Sequence, residues 1–170
     1  MQRLKTRPQF QAAMAAGTVS RTAHFALHRL VLAEAAAVTP STGPGSQDPQ
    51  ALFGVGAVRE EAWLGAMVPK RWARRSVTRH AIKRQIYAVG DEHEALLRRG
   101  AHVVRLRAGF DRHQFVSASS DALKSAVRAE LQQLFAHAAR RLAAPRPAGP
   151  QAEKPLGQES QAGAMAGAAP

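Results

Sequence analysis

Apolar positions fall at helical spacing in three stretches of this chain and at strand length in three more. The first helical stretch opens on Thr6-Arg7-Pro8-Gln9, the form of a capping box with a proline in the first turn, and continues with Phe10, Ala13 and Met14 before Gly17. It predicts a helix over 7–16. Residues 24–32 alternate, with Phe25, Leu27 and Val31 on one face, and 63–68 is a short apolar run, so both predict strands. Segment 52–58, LFGVGAV, reads as a strand or the extension of one, weakened by its two glycines. Wound as a helix, 74–89 places Val77, Ala81, Ile82, Ile86, Ala88 and Val89 on one half of the wheel. Arg79, His80, Lys83, Arg84 and Tyr87 fall on the other, and Gly90 is the expected stop. A strand over 102–107, HVVRLR, comes next. Ser119 or Ser120 then caps a last helix whose stripe of Leu123, Val127, Leu131, Leu134 and Phe135 ends near Leu142.

Two segments carry no such pattern. In 143–170, Ala, Pro and Gly supply 18 of 28 residues, too little apolar surface to offset the entropy of ordering the chain, which predicts a disordered tail. Segment 33–50, AEAAAVTPSTGPGSQDPQ, has the same character between two strands and predicts a long mobile loop. The domain organisation expected is one folded unit over 1–142 followed by the tail.

Charge narrows the function. The chain has 170 residues and a net charge of +12, and positions 70–84 hold seven cations, Lys70, Arg71, Arg74, Arg75, Arg79, Lys83 and Arg84, without one carboxylate. Such a density must be solvated or neutralised by an anion, and closely spaced cations match a run of phosphates, so nucleic acid is the expected partner. The bland alternative is a basic surface helix that binds nothing in particular, or a membrane-surface helix. There is no cysteine, which excludes disulfides and thiolate-held metals and fits the cytoplasm, the expected location. The apolar runs are too short for a membrane span, and the first residues lack a signal peptide's apolar stretch.

The stretch VPKRWARRSVTRHAIKRQ, 68–85, resembles the signature of the protein component of bacterial ribonuclease P, a basic pair followed by R-N-R-x-x-K-R on a helix. Arg79, Ile82, Lys83 and Arg84 match it, while His80 and Ala81 stand where the family has Asn and Arg. Phe10, Met14 and Gly17, the strand start Phe25-Ala26-Leu27, HVVRLR and LQQLFAHA fit the family's other elements. The resemblance implies an α+β fold: a small two-layer α/β sandwich with a central mixed sheet, helices on one face and a left-handed crossover through the basic helix. It implies a subunit of a ribonucleoprotein whose catalytic RNA, requiring Mg²⁺, removes the 5′ leader of precursor tRNA, the protein itself holding no cofactor. The RNA-facing residues would be Lys70, Arg71, Arg74, Arg75, Arg79, His80, Lys83 and Arg84. A leader-binding cleft would contain Phe10, Met14, Phe25 and His28.

The residues themselves support that cleft, because single-stranded RNA is held by flat side chains flanked by cations, here Phe10, Phe25 and His28 with Arg7, Arg21 and Arg29. Core packing is the competing role for each phenylalanine. Met14 packs against a base but stacks less well than an aromatic ring. His24 and His28 would share a strand face without a nearby carboxylate, a poor metal site. Asp91, Glu92 and Glu94 are expected in a loop, as surface carboxylates or a divalent-ion contact. Trp72, beside Arg71 and Arg74, either stacks on a base or covers the end of the core. No nucleophile–base pair, phosphate loop or placed carboxylate pair emerges, so no catalytic group is expected. The rival readings are a structural, ribosomal-type RNA-binding protein and a DNA binder. The second would need Asn or Gln among the cations of the basic face to read bases, and DNA is not an expected partner.

Overall fold

Thr6 and Gln9 start the first helix reciprocally. The Thr6 hydroxyl accepts from the Gln9 amide at 3.5 Å, and Gln9 Oε1 accepts from the backbone N–H groups of Thr6 at 3.2 Å and Lys5 at 2.9 Å. The computed structural model describes residues 1–32, 52–53, 61–111, 114–115 and 120–143. Within them the order is β1 (Gln2–Arg3), α1 (Arg7–Ala15), β2 (Thr18–Arg21), β3 (Phe25–Val31), β4 (Ala62–Met67), α2 (Ser76–Glu92), α3 (Glu94–Leu97), β5 (Gly100–Leu106) and α4 (Asp121–Ala143). The expected loop over 33–50, the tail beyond residue 143 and the part of the equivocal strand over 54–58 lie outside the described residues, as does Ser119. Ser120 does cap α4, its hydroxyl accepting from the Leu123 N–H at 3.2 Å.

The strands form one mixed sheet in the order β1-β4-β5-β3-β2. β1 and β4, and β4 and β5, are parallel neighbours, while β3 runs antiparallel to β5 and β2. The parallel step from β4 to β5 is made through α2 and α3, which puts the basic helix in the crossover. β1 and β2 were not expected, since a two-residue strand and the half-polar Thr-Val-Ser-Arg give no readable period.

The seven-residue ladder from Phe25↔Leu106 to Val31↔Gly100 sorts side chains between two faces. Phe25, Leu27, Leu64, Val104 and Leu106 join Ile82, Ile86 and Val89 of α2 and the Leu123, Val127, Leu131, Leu134 and Phe135 stripe of α4 in the larger core. Leu4, Ala13, Leu32, Phe53, Ala101 and Val103 form a smaller core under α1, with Phe10, Met14, Leu30, Trp63 and Met67 partly buried at its edge. Helices therefore lie on both faces, α1 adding a partial layer opposite α2 and α4.

Several local expectations are corrected. α2 starts at Ser76 rather than 74, and it runs through Gly90 to Glu92, so Asp91 and Glu92 are helical. Gly90 is buried because helix and sheet touch there: a Cβ at this position would lie 2.3 Å from Leu64 Cδ2. The stop is supplied by His93, whose Nδ1 donates to the Val89 carbonyl at 2.9 Å while its ring stacks on Phe135. Glu94 begins the short helix α3. Val77 is exposed, as is Ala88, which narrows the apolar stripe of α2 to Ile82, Ile86, Val89 and Gly90. His24 and His28 do not share a site. The His24 Nδ1 pairs with Glu130 of α4 at 2.7 Å and its ring stacks on Phe110 at 4.1 Å, so a carboxylate from far along the chain is its partner. His28 lies on the α1 side, 3.4 Å from Thr18 Oγ1.

Between β3 and β5, Arg29 and His102 are register partners on the face of the larger core. His102 is 1% exposed, and burial, then the Arg29 charge, lowers its pKa to about 3 against backbone contacts from Trp63 and Gly100 that act to raise it. The folded state holds this ring neutral where the unfolded chain protonates it near pH 6.5. Its contribution is therefore present above pH 6.5 and is lost as pH falls towards 3. Urea unfolding at pH 7 and 5.5 is expected to show His102→Leu losing about 1 kcal/mol less stability than the wild type over that step. Equal losses would show that the imidazole is already charged in the folded state.

Candidate nucleic-acid interface

The turn before α2 is built on Pro69, whose carbonyl accepts the N–H groups of Trp72 at 3.1 Å and Ala73 at 3.2 Å. Ala73 is buried and anchors the turn, so the long side chains on either side stand outward. Lys70, Arg71, Arg74, Arg75, His80, Lys83 and Arg84 are all exposed. Arg79 differs. Half-buried, its guanidinium donates to the carbonyls of Ala73 at 3.0 Å and Arg74 at 2.7 Å, tying the turn to the first turn of α2. The tie acts on carbonyls ahead of the helix and leaves its first N–H groups untouched, and the N-cap, Arg75, makes no side-chain cap bond to them. His80 Nδ1 donates to the Ser76 carbonyl at 2.8 Å, which directs Nε2 away from the helix backbone.

The acids lie elsewhere. Among the described residues, the ion pairs are the Met1 amine with Glu94, His24 with Glu130, Lys124 with Asp121 and Arg128 with Glu92, and none involves a cation of 70–84. Among the described residues no carboxylate neutralises the segment's charge. It faces solvent as the seven-cation run anticipates.

On the opposite face of the sheet, α1 covers the smaller core only in part, and the region of the expected cleft is half-buried. The ring of Phe10 rests on Gly65 of β4, where an added Cβ would come within 2.6 Å of Phe10 Cε1, so glycine is what lets the helix seat. Phe10, Met14 and His28, all half-buried, are brought to this side. Phe25 is not. It is 0% exposed in the larger core on the other face and contacts Phe110, which corrects its place in the expected cleft. The strand period explains the miss, since residues 25 and 28 differ by an odd number. The same parity removes Arg29, which pairs in register with His102 on the far face.

Arg105 takes Arg29's place. In register with Ala26 and Met67, it shares the α1 face with Val103, and its charge acts on His28 together with that of Arg21. Burial, then Arg105, lowers the His28 pKa below its usual 6.5, so the imidazole in this cleft is neutral at neutral pH. The alternation of HVVRLR was enough to place Arg105 beside Val103, had the faces been assigned. The helix itself is fixed to the rim by Gln9, whose Nε2 donates to the Leu52 carbonyl at 3.0 Å. Among the described residues there is no group of three His, Asp or Glu that could hold a metal ion, and no helix long and apolar enough to cross a membrane.

The profile of the ribonuclease P family matches residues 1–139, which spans the cleft, the acid-free segment and both cores. This chain belongs to the ribonuclease P family. A curated relative, the ribonuclease P protein component of Ralstonia pickettii strain 12J, is 38% identical over 89 residues, 52% of this chain and 62% of that protein, so the match spans under two thirds of the relative's length. The ribonuclease P protein of Staphylococcus aureus has the same fold, with a TM-score of 0.52 at 14% identity over 80% of this chain and 94% of that one. A mutant of the same S. aureus protein, with defective mRNA degradation activity, gives 0.51 at 14% identity over 81% and 87% of the two chains. Within this ribonuclease P fold, Arg79 is a structural tie, while Lys83 and Arg84 make no ion pair among the described residues.

Those positions separate by mutation. Arg79→Ala is expected to lower stability by about 1 to 2 kcal/mol, because two carbonyls lose a charged donor, whereas Lys83→Ala with Arg84→Ala leaves unfolding by urea nearly unchanged. Equal effects from the two variants would remove the structural role given to Arg79.

Proposed function

We propose that this chain is the protein subunit of a ribonuclease P ribonucleoprotein, acting in the cytoplasm with residues 1–142 as the working unit. A catalytic RNA binds along the acid-free segment, Lys70, Arg71, Arg74, Arg75, Arg79, His80, Lys83 and Arg84. The single-stranded 5′ leader of precursor tRNA lies in the cleft of Phe10, Met14, His28 and Arg105. The observation that carries the reading is the pairing, on one small fold of this family, of an unneutralised cationic face with a half-open aromatic cleft on the opposite side of the sheet.

Each surface has a task that its chemistry suits. Exposed cations displace counterions from RNA phosphates and hold positive charge where the RNA would otherwise need free Mg²⁺. In the cleft, the flat neutral imidazole of His28 and the ring of Phe10 offer faces to unpaired bases, and Arg105 and Arg21 offer charge to the intervening phosphates. The endonucleolytic hydrolysis is the RNA's, using its own Mg²⁺, and the protein's contribution is to binding.

The test is a paired affinity measurement on the holoenzyme reconstituted with its catalytic RNA, comparing precursor and mature tRNA. Phe10→Leu with His28→Ala keeps an apolar side chain on Gly65 but removes both flat faces. It is expected to weaken precursor binding by about 1 to 3 kcal/mol per stacked base lost and to spare mature tRNA. The protein alone is expected to leave precursor tRNA uncut. Equal losses for both ligands would overturn the leader cleft, and cleavage by the RNA-free protein would overturn the division of labour.

A further inference from the structure

Trp72 is out of place for a tryptophan. It is 39% exposed, one of four large apolar side chains that the described residues leave in solvent, and it stands inside the acid-free cationic segment. The chain's other tryptophan shows the contrast, since Trp63 packs edge-on against Phe53 with ring centroids 5.7 Å apart. Indole surface left in water is unfavourable, so a flat partner laid on this ring gains by covering it.

The ring is also held in position. Arg71 lays its guanidinium over the indole, 5.2 Å from the ring centroid, and the exposure of Trp72 is what remains after that contact. The backbone beneath is fixed from three directions. The Pro69 carbonyl accepts the Trp72 and Ala73 N–H groups, Ala73 is buried, and Arg79 binds the Ala73 and Arg74 carbonyls. Gly109 lies against the Trp72 carbonyl so closely that a Cβ there would be 3.0 Å from it. A flat ring on a rigid turn loses little entropy when a second ring is laid on it.

We propose that Trp72, backed by Arg71, is a stacking platform for one unpaired base of a bound RNA, with Lys70 and Arg74 taking the flanking phosphates. This rests on the reading of 70–84 as a phosphate-binding face, and it adds a preference that cations alone do not give. Phosphates are common to single strands and duplexes. An accessible base face is not, because a duplex keeps its bases stacked on each other. The segment is thereby selective for an unpaired nucleotide, a bulge, loop or end, over a continuous helix. An apolar protein surface would also cover an indole, but it offers nothing to four exposed cations within six residues, Lys70, Arg71, Arg74 and Arg75.

The experiment titrates the full chain with an oligoadenylate of twelve nucleotides and with a fully paired RNA duplex of equal phosphate count, following tryptophan fluorescence. The Trp63 background is taken from Trp72→Phe. The single strand is expected to quench the Trp72 signal and the duplex to leave it nearly unchanged. Trp72→Ala is expected to lower single-strand affinity by about fivefold to a hundredfold, the range of one base–aromatic stack, with Trp72→Phe retaining most of it. The dependence of log K on log salt is expected to keep the same slope in all three proteins, since phosphate contacts are untouched. A steep slope with unchanged affinity in Trp72→Ala would overturn the platform and leave the phosphate face standing. A flat slope in the wild type would overturn the phosphate face itself. Should Trp72→Ala fail to melt cooperatively, Trp72→Leu, which keeps apolar cover without a flat face, decides the question by the same affinity comparison.

Discussion

The register between β3 and β5 decides which side chains meet. Seven consecutive pairs hold the two strands together in the middle of the sheet, and both faces of that centre are covered by helices. With period two, the pairing sends Phe25, Leu27, Val104 and Leu106 to α2 and α4, and Ala26, His28, Ala101, Val103 and Arg105 to α1. A slip of one residue on β3 would put His28 into the larger core and Phe25 under α1. Each fully buried aliphatic or aromatic side chain is worth about 1.5 to 3 kcal/mol, so that exchange is prohibited many times over. The cleft inherits its composition from this ladder: the larger core takes the aromatic residue, and the thinner layer beneath α1 keeps the histidine and the arginine.

The same sheet accounts for where the charge goes. α2 reaches β5 only by crossing the face it shares with α4, and it docks with Ile82, Ile86, Val89 and the close approach of Gly90 to Leu64. The turn before it and the outward side of its N-terminal half carry the cations. Acidic residues that could have neutralised them are engaged elsewhere, Glu92 with Arg128 and Glu130 with His24. Concentrating like charge at the start of a helix opposes the helix dipole as well as itself. Arg79 offsets part of that cost by spending its own charge on two backbone carbonyls. The cluster is thus seven cations in the sequence, six of which face outward while one fastens the turn.

Long periodic elements were legible in the sequence and parity was not. The capping box of α1, the stripe of α4 and the apolar residues Ile82, Ile86 and Val89 of α2 all state their contacts locally, and each lies where its pattern put it. Phe25 was drawn to the cleft because it is aromatic and near His28, although an odd separation on a strand sends the two apart. Gly90 has the look of a helix stop when read along the chain. Its actual reason, the Leu64 side chain, comes from a strand twenty-six positions earlier. His24 and Glu130 are 106 residues apart, a distance over which spacing carries no information. β1 owes its existence to the edge of β4 that it pairs with, and two residues cannot advertise that.

The histidine in the cleft follows from these constraints as much as any core residue does. His28 is half-buried on a face that also holds Arg105 and Arg21, so desolvation and two like charges act on its ring in the same direction. The outcome is an imidazole that stays neutral at neutral pH beside two guanidiniums. In the proposed leader site a neutral ring would present a face to a base while the arginines would present charge to phosphate, and the two kinds of contact would not compete for one ligand atom. The exposed indole of Trp72 and the guanidinium of Arg71 repeat that arrangement on the other side of the sheet. Flat groups beside fixed cations on both surfaces would let one small fold grip paired and unpaired stretches of RNA at once.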